Sequence, residues 1–275
     1  TTEFLPGVSA RLAFENVALF TGVHRGFTPP TDKTAFLSPT DVARKYDSDG
    51  ALDSERSWNY ELGARVDIGE WLRVEPTLFL MDVENLVAAG RKANFENLGK
   101  AQYRGLELGV RAEISRRLAL PLSAELQLQW TLLDTKIKRG VVSEQGFSED
   151  NDIRGNEAPY APTNTLRVGA TFGFSHDRLR VSWDYNFIDE QFTDFNNTLL
   201  ETAAGDNGIL PSYHFVNLSA RYALSQRGLS AFLAVKNMEN KIYRASRLHR
   251  GSSGIFPGGF RQISLGLNLP LAGSI

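Results

Sequence analysis

Arg244, Arg247, His249 and Arg250 place four potential hydrogen-bond donors within seven positions, and no acidic residue lies between them. The guanidinium group offers a rigid fork of donors that matches carboxylate and phosphate oxygens, so this run is suited to holding an anion. Arg25, followed by the stiff stretch Thr28-Pro-Pro30, is a second candidate of the same kind. A different set, Glu61, Arg65, Glu107 and Arg111, alternates with apolar residues and so belongs to one face of an extended chain. Bond-making chemistry finds no such footing. The histidines His24, His176, His214 and His249 form no H-E-x-x-H pair, and there is no G-x-S-x-G elbow or phosphate-binding G-x-x-x-x-G-K-[ST] run. With no cysteine, thiolate nucleophiles and Cys-ligated metals are excluded. Asp47-Ser-Asp-Gly50 with Asp53 and Glu55 lacks the third acidic position of a calcium loop and reads as a solvated acidic loop. No catalytic or metal-ligating residue is therefore expected.

The elements that must carry these residues are strands. From Ser57 to Ile68 the chain sets Trp58, Tyr60, Leu62, Ala64, Val66 and Ile68 against Ser57, Asn59, Glu61, Gly63, Arg65 and Asp67. That is period-two alternation, the mark of a strand with one apolar and one polar face. It recurs over 123–132, 179–187 and 262–271, and His214 falls on the apolar face of its own strand. Eleven strands are predicted, near 9–15, 17–27, 57–68, 72–82, 100–114, 120–137, 163–174, 179–193, 212–224, 229–243 and 261–271. Their connections alternate between short ones, such as Glu15-Asn16 and Gly69-Glu70-Trp71, and long ones over 28–56, 83–99, 138–162, 194–211 and 244–260. In an antiparallel meander, alternate connections share a side, so one rim carries tight turns and the other long loops.

Composition limits the function further. The 275 residues carry a net charge of −2, which argues against nucleic-acid binding, and no apolar run approaches the roughly 18 residues of a spanning helix. Charges populate the polar faces, while the opposite faces are apolar throughout and fringed by Trp58, Tyr60, Trp71, Phe172, Phe174, Phe187 and Tyr222. An all-β antiparallel transmembrane meander with its apolar face in lipid is expected. A soluble β-sandwich with carbohydrate-binding loops is the competing architecture, since its strands alternate too. An odd number of strands leaves unpaired edges, and the chain opens at Thr1 without a leader, so a fragment of a longer protein is expected.

Several stretches resemble the C-terminal half of the barrel of TonB-dependent outer-membrane receptors. These are Arg25-Gly-Phe-Thr-Pro-Pro30, Ser54-Glu-Arg-Ser-Trp-Asn-Tyr-Glu-Leu-Gly63, Asn97-Leu-Gly with Arg104-Gly-Leu-Glu-Leu108, and Asn237-Met-Glu-Asn-Lys-Ile-Tyr243. Arg244–Arg261, with Gly254-Ile-Phe-Pro-Gly258, resembles the last loop of receptors of the ferric-citrate type. The resemblance implies that residues 1–275 form the last half of a barrel of about 22 strands, with the plug domain and the first half of the barrel absent. It also implies a bacterial outer-membrane receptor that imports a ferric siderophore or ferric citrate as transported ligand, with no covalently bound cofactor and no enzymatic activity. Energy would come from the TonB–ExbB–ExbD complex through the missing N-terminal plug. On that reading Arg244, Arg247, His249, Arg250 and Arg25 are substrate-binding candidates of the extracellular loops, and Glu61, Arg65, Glu107 and Arg111 face the plug. Binding of lipopolysaccharide phosphates, or simple loop solubility, explains the same loop donors equally well. Arg104 shares a face with Leu106 and Leu108 and is expected at the outer interface instead. The ending Leu269-Pro-Leu-Ala-Gly-Ser-Ile275 departs from the family's usual terminal aromatic residue. A passive porin or structural barrel without a plug is the alternative function.

Overall fold

The computed structural model describes residues 3–29, 53–89, 95–142, 151–225, 228–248 and 254–269. Eleven strands form one antiparallel meander: β1 (Gly7–Ala13), β2 (Val17–Thr28), β3 (Glu55–Ile68), β4 (Leu72–Ala89), β5 (Phe95–Glu113), β6 (Ser123–Val142), β8 (Asn164–Phe174), β9 (Leu179–Ile188), β10 (Tyr213–Ala223), β11 (Ser230–Lys236) and β14 (Gln262–Asn268). The two-residue β7 (Asn151–Asp152) pairs with the end of β6, and β12 (Tyr243–Leu248) with β13 (Gly254–Gly258) makes a separate hairpin in the final loop. One short helix, α1 (Ile114–Leu118), turns the chain between β5 and β6 and ends at Ala119 in a left-handed conformation. The sheet is not closed. β1 pairs only with β2, and β14 only with β11, among the described residues.

Register puts like with like. Leu62, Leu78, Leu106 and Leu132 stand directly across from one another on four successive strands, as do Gly63, Thr77, Glu107 and Thr131 on the opposite face. The apolar row Ile68, Leu72, Ala112, Leu126, Ala170, Trp183, Leu218, Val235 and Ile263 starts at the short-turn end of β3 and finishes at the long-loop end of β14. The strands are thus staggered and tilted, the shear that barrel closure requires. The apolar face is open, with Leu62 58%, Leu78 55% and Leu265 80% exposed. Above this band the same face turns polar: Arg104 pairs with Asp134 across β5 and β6 at 2.6 Å, Gln102 bonds Asp82, and Lys100 pairs with Glu84. Arg104 therefore sits at the upper border of the band, as its alternation required. Near that border His214 lies across from Phe187, tilts against the Tyr185 ring at 5.5 Å, and meets Lys241 and Glu239.

Glycine lets the wall pack where the polar face is crowded. A Cβ at Gly105 would lie 2.2 Å from the Leu132 carbonyl and against the Phe79 ring, which accounts for glycine in Arg104-Gly-Leu-Glu-Leu108. Phe20 covers Gly63 in the same manner.

Strand ends are where the structure departs from the alternation. β4 and β5 run well past the predicted ends, so that residues 83–99 are mostly a projecting hairpin rather than a loop. Asn85 takes a φ of 56° there and shifts the register, a bulge that lets the pair continue with altered twist. The predicted strand 229–243 stops at Lys236, because Asn237 is left-handed (φ 48°) and its side chain holds a turn through Lys241.

Candidate functional site: the loop cap and the polar wall

Three long connections pack over the polar face at one end of the sheet. Ile153, at the β6–β8 connection, buries against Leu98, Ala101 and Ile137, and Phe195 from the β9–β10 connection covers the cluster. Asn156 donates to the Phe195 carbonyl at 2.8 Å, and Asn197 bonds both backbone groups of Glu157. Thr135 accepts from the Ala158 amide, tying the connection to the wall below. Tyr243, from the final loop, stacks on Tyr213 with ring centres 4.1 Å apart and planes 7° apart. The final loop thereby leans inward over the polar face.

Arg247 is the anchor of this cap. Its side chain is fully buried; Nε donates to the Gly208 carbonyl at 2.9 Å, Nη1 to Gly205 at 2.9 Å and to Glu201 at 3.3 Å, and Nη2 to Ile209 at 3.1 Å. The Tyr160 hydroxyl clamps its backbone, accepting from the Arg247 amide and donating to its carbonyl. All three guanidinium nitrogens are thus engaged by the β9–β10 connection, and this arginine holds two loops together instead of presenting free donors to a ligand. Arg244 is half-exposed and pairs with the other oxygen of Glu201 at 2.6 Å. His249 and Arg250 lie outside the described residues. Arg25 is placed on the apolar face, directly across from Trp58, and so at the outer border of the wall rather than over its mouth. Sequence reasoning missed Glu201 and Tyr160, since neither is near the arginines in the chain.

Partial desolvation pushes the Glu201 carboxyl up, but hydrogen bonds and charge from Arg247 and Arg244 outweigh it and hold the group below the usual carboxylate range. A depressed carboxyl contributes stability above its unfolded pKa and loses it as pH falls through the folded value. Acidification below the ordinary glutamate range is therefore expected to loosen residues 201–209 from the final loop. Amide hydrogen exchange measured from neutral to acid pH checks this; exchange at 205–209 that does not change with pH would refute it.

On the polar wall, Glu61, Arg65, Glu107 and Arg111 all share one face, as alternation placed them. Arg65 pairs with Glu75 and Arg111 with Glu125, in a lattice that also contains Arg73–Asp67 and Arg167–Asp184. Such exposed cross-strand pairs contribute little to stability and can be remade at little cost. Glu61 and Glu107 are exposed and have no side-chain partner among the described residues.

Fold and site together define a barrel wall, apolar outside and charged inside, with inward-folded loops at one mouth. The sequence pattern described as TonB dependent receptor-like, beta-barrel matches residues 1–238, and the chain belongs to that family of outer-membrane β-barrel receptors. A curated Acinetobacter baumannii protein named "Probable TonB-dependent siderophore receptor PiuA" is 23% identical over 195 residues, covering 70% of this chain and 24% of that protein. The fold matches the unliganded ferric citrate transporter FecA with a TM-score of 0.74 at 20% identity, over 95% of this chain and 37% of that one. The siderophore receptor PiuA from Acinetobacter baumannii follows at 0.71 and 19% identity, over 96% and 35%. The ferric yersiniabactin uptake receptor FyuA from Yersinia pestis gives 0.69 and 17%, over 95% and 36%. The chain spans about a quarter of the curated relative and about a third of these structures. These relatives are receptors and transporters, which points away from enzymes.

Proposed function

We propose that residues 1–275 form the last eleven strands of an outer-membrane receptor that captures a ferric chelate at its loop mouth and imports it with TonB-derived energy. The observation that carries this reading is the loop cap anchored by Arg247 over a charged inner wall, in a chain of the TonB-dependent receptor family. The open edges at β1 and β14 favour completion by further strands, because unpaired backbone groups are costly in hydrocarbon. Glu61 and Glu107 would meet basic groups of a plug, with TonB, ExbB and ExbD supplying energy from the inner membrane. Arg244, half-exposed beside Glu201, is the described donor best placed to meet a carboxylate-rich ferric siderophore or ferric citrate. The apolar face would contact membrane lipid, and the exposed Lys136, Lys138 and Arg139 above it would meet lipopolysaccharide phosphates.

The test is to express the complete reading frame in outer membranes, titrate ferric citrate and ferric siderophores, and follow uptake with and without a protonophore. Saturable binding and protonophore-sensitive uptake are expected. Uptake that ignores the protonophore would identify a passive porin and overturn the proposal. In the same receptor, Arg244→Ala is expected to lower chelate affinity several-fold while costing less than about 1 kcal/mol of stability. Unchanged affinity would remove Arg244 from the site.

A further inference from the structure

The arginines of the polar wall are not all accommodated by the wall itself. On strands flanked on both sides, Arg65, Arg73, Arg111 and Arg167 each pair with a neighbouring carboxylate. Arg180 on β9 and Arg221 on β10 do not, among the described residues. They stand directly across from each other in the antiparallel register and both are exposed. Like charges directly opposite on one sheet face repel. Arg221 donates only to the Ser230 hydroxyl, at 3.2 Å. Nearby carboxylates are already engaged: Asp184 by Arg167, and Asp177 by the Ser123 hydroxyl. Two guanidinium groups at the short-turn end of the inner wall are thus left facing the interior without an anion.

We infer that Arg180 and Arg221 together dock an acidic segment of the polypeptide that fills the barrel, close to its short-turn mouth. This rests on the plugged-receptor reading and adds to it a contact of opposite polarity. The wall leaves groups of both signs without an ion pair among the described residues: Glu61 and Glu107 on the β3–β5 arc, where Arg11 of β1 lines the same hollow as Glu61, and Arg180 and Arg221 on the β9–β10 arc. A diffusible anion would satisfy only one arc. A rigid guest with basic groups toward β3–β5 and acidic groups toward β9–β10 satisfies both, and can do so in one rotational setting only. Paired arginines suit a carboxylate bidentately, and the exposed setting keeps the contact reversible.

The test uses the full-length receptor in outer membranes. The R180K/R221K variant keeps both charges and supplies amines that a water-soluble carbodiimide couples to carboxylates in contact. Mass spectrometry is expected to find a cross-link from position 180 or 221 to an acidic residue of the plug, and to lose it in R180Q/R221Q. If the double variant assembles poorly, R221K alone serves. Cross-links only to Asp177 or other wall carboxylates, or none, would overturn the inference. Permeability of the same cells to a large antibiotic separates the two levels of failure. A tight wild-type barrel without the cross-link defeats this contact alone, whereas a leaking wild-type barrel defeats the plugged-receptor reading as well.

Discussion

Replacing Arg247 with alanine is expected to detach the final loop from the β9–β10 connection in the intact receptor. Its guanidinium satisfies three backbone carbonyls and one carboxylate oxygen in a fully buried site. Removing it leaves those acceptors without donors and leaves Glu201 paired only with the half-exposed Arg244. The carbonyls of the buried Gly205 and Gly208 lose the guanidinium donor, and a buried polar group left unsatisfied costs about 1–3 kcal/mol. The loss falls on the cap, because β1–β11 keep their ladders without it. Residues 201–209 and the β12–β13 hairpin should become sensitive to protease while the barrel remains resistant. Arg247→Lys should recover little, since an ammonium cannot reach carbonyls arrayed around a planar fork. A cap that stays protected in Arg247→Ala would show that Tyr160 and the Tyr213–Tyr243 stack are sufficient to hold the loop.

The second large effect concerns the outer wall. Val110→Arg puts a charge into the row Val66, Val74, Val110 and Leu128, at the middle of the apolar band. A charge there is expected to cost about 2–4 kcal/mol in a bilayer. Thr131→Arg, one strand away and on the polar face beside Glu107, should cost far less under the same conditions. Equilibrium unfolding of the complete protein from lipid vesicles measures both. Equal penalties at the two positions would mean that lipid does not contact the apolar face.

Both predictions draw on features that differ in how openly the chain displays them. Period-two alternation from Ser57 to Ile68 placed those side chains of β3 on the face the structure shows, because adjacent residues of a strand must point in opposite directions. The same parity placed Arg104 beside Leu106 and so at the edge of the apolar band, where it meets Asp134. Strand ends were less legible. Asn85 and Asn237 decide them through left-handed backbone conformations, one continuing a hairpin past a bulge and the other ending a strand. Asparagine tolerates that region without demanding it, so its presence alone does not distinguish the two outcomes.

The loop donors show the limit most clearly. Arg244 and Arg247 are three positions apart and of the same type, yet one is half-exposed and the other wholly enclosed. Local spacing contains nothing that separates them. The difference comes from Glu201, Gly205, Gly208 and Ile209, some forty residues earlier, and from Tyr160, 87 residues earlier. Arg180 and Arg221 likewise face each other only because β9 and β10 adopt one register out of several. By itself the sequence determined the strand period, the alternation of short and long connections and the polarity of each face, since these follow from stereochemistry repeated every two residues. Only the tertiary structure decided which charges find partners, because ion pairing depends on contacts of a few ångströms between distant segments.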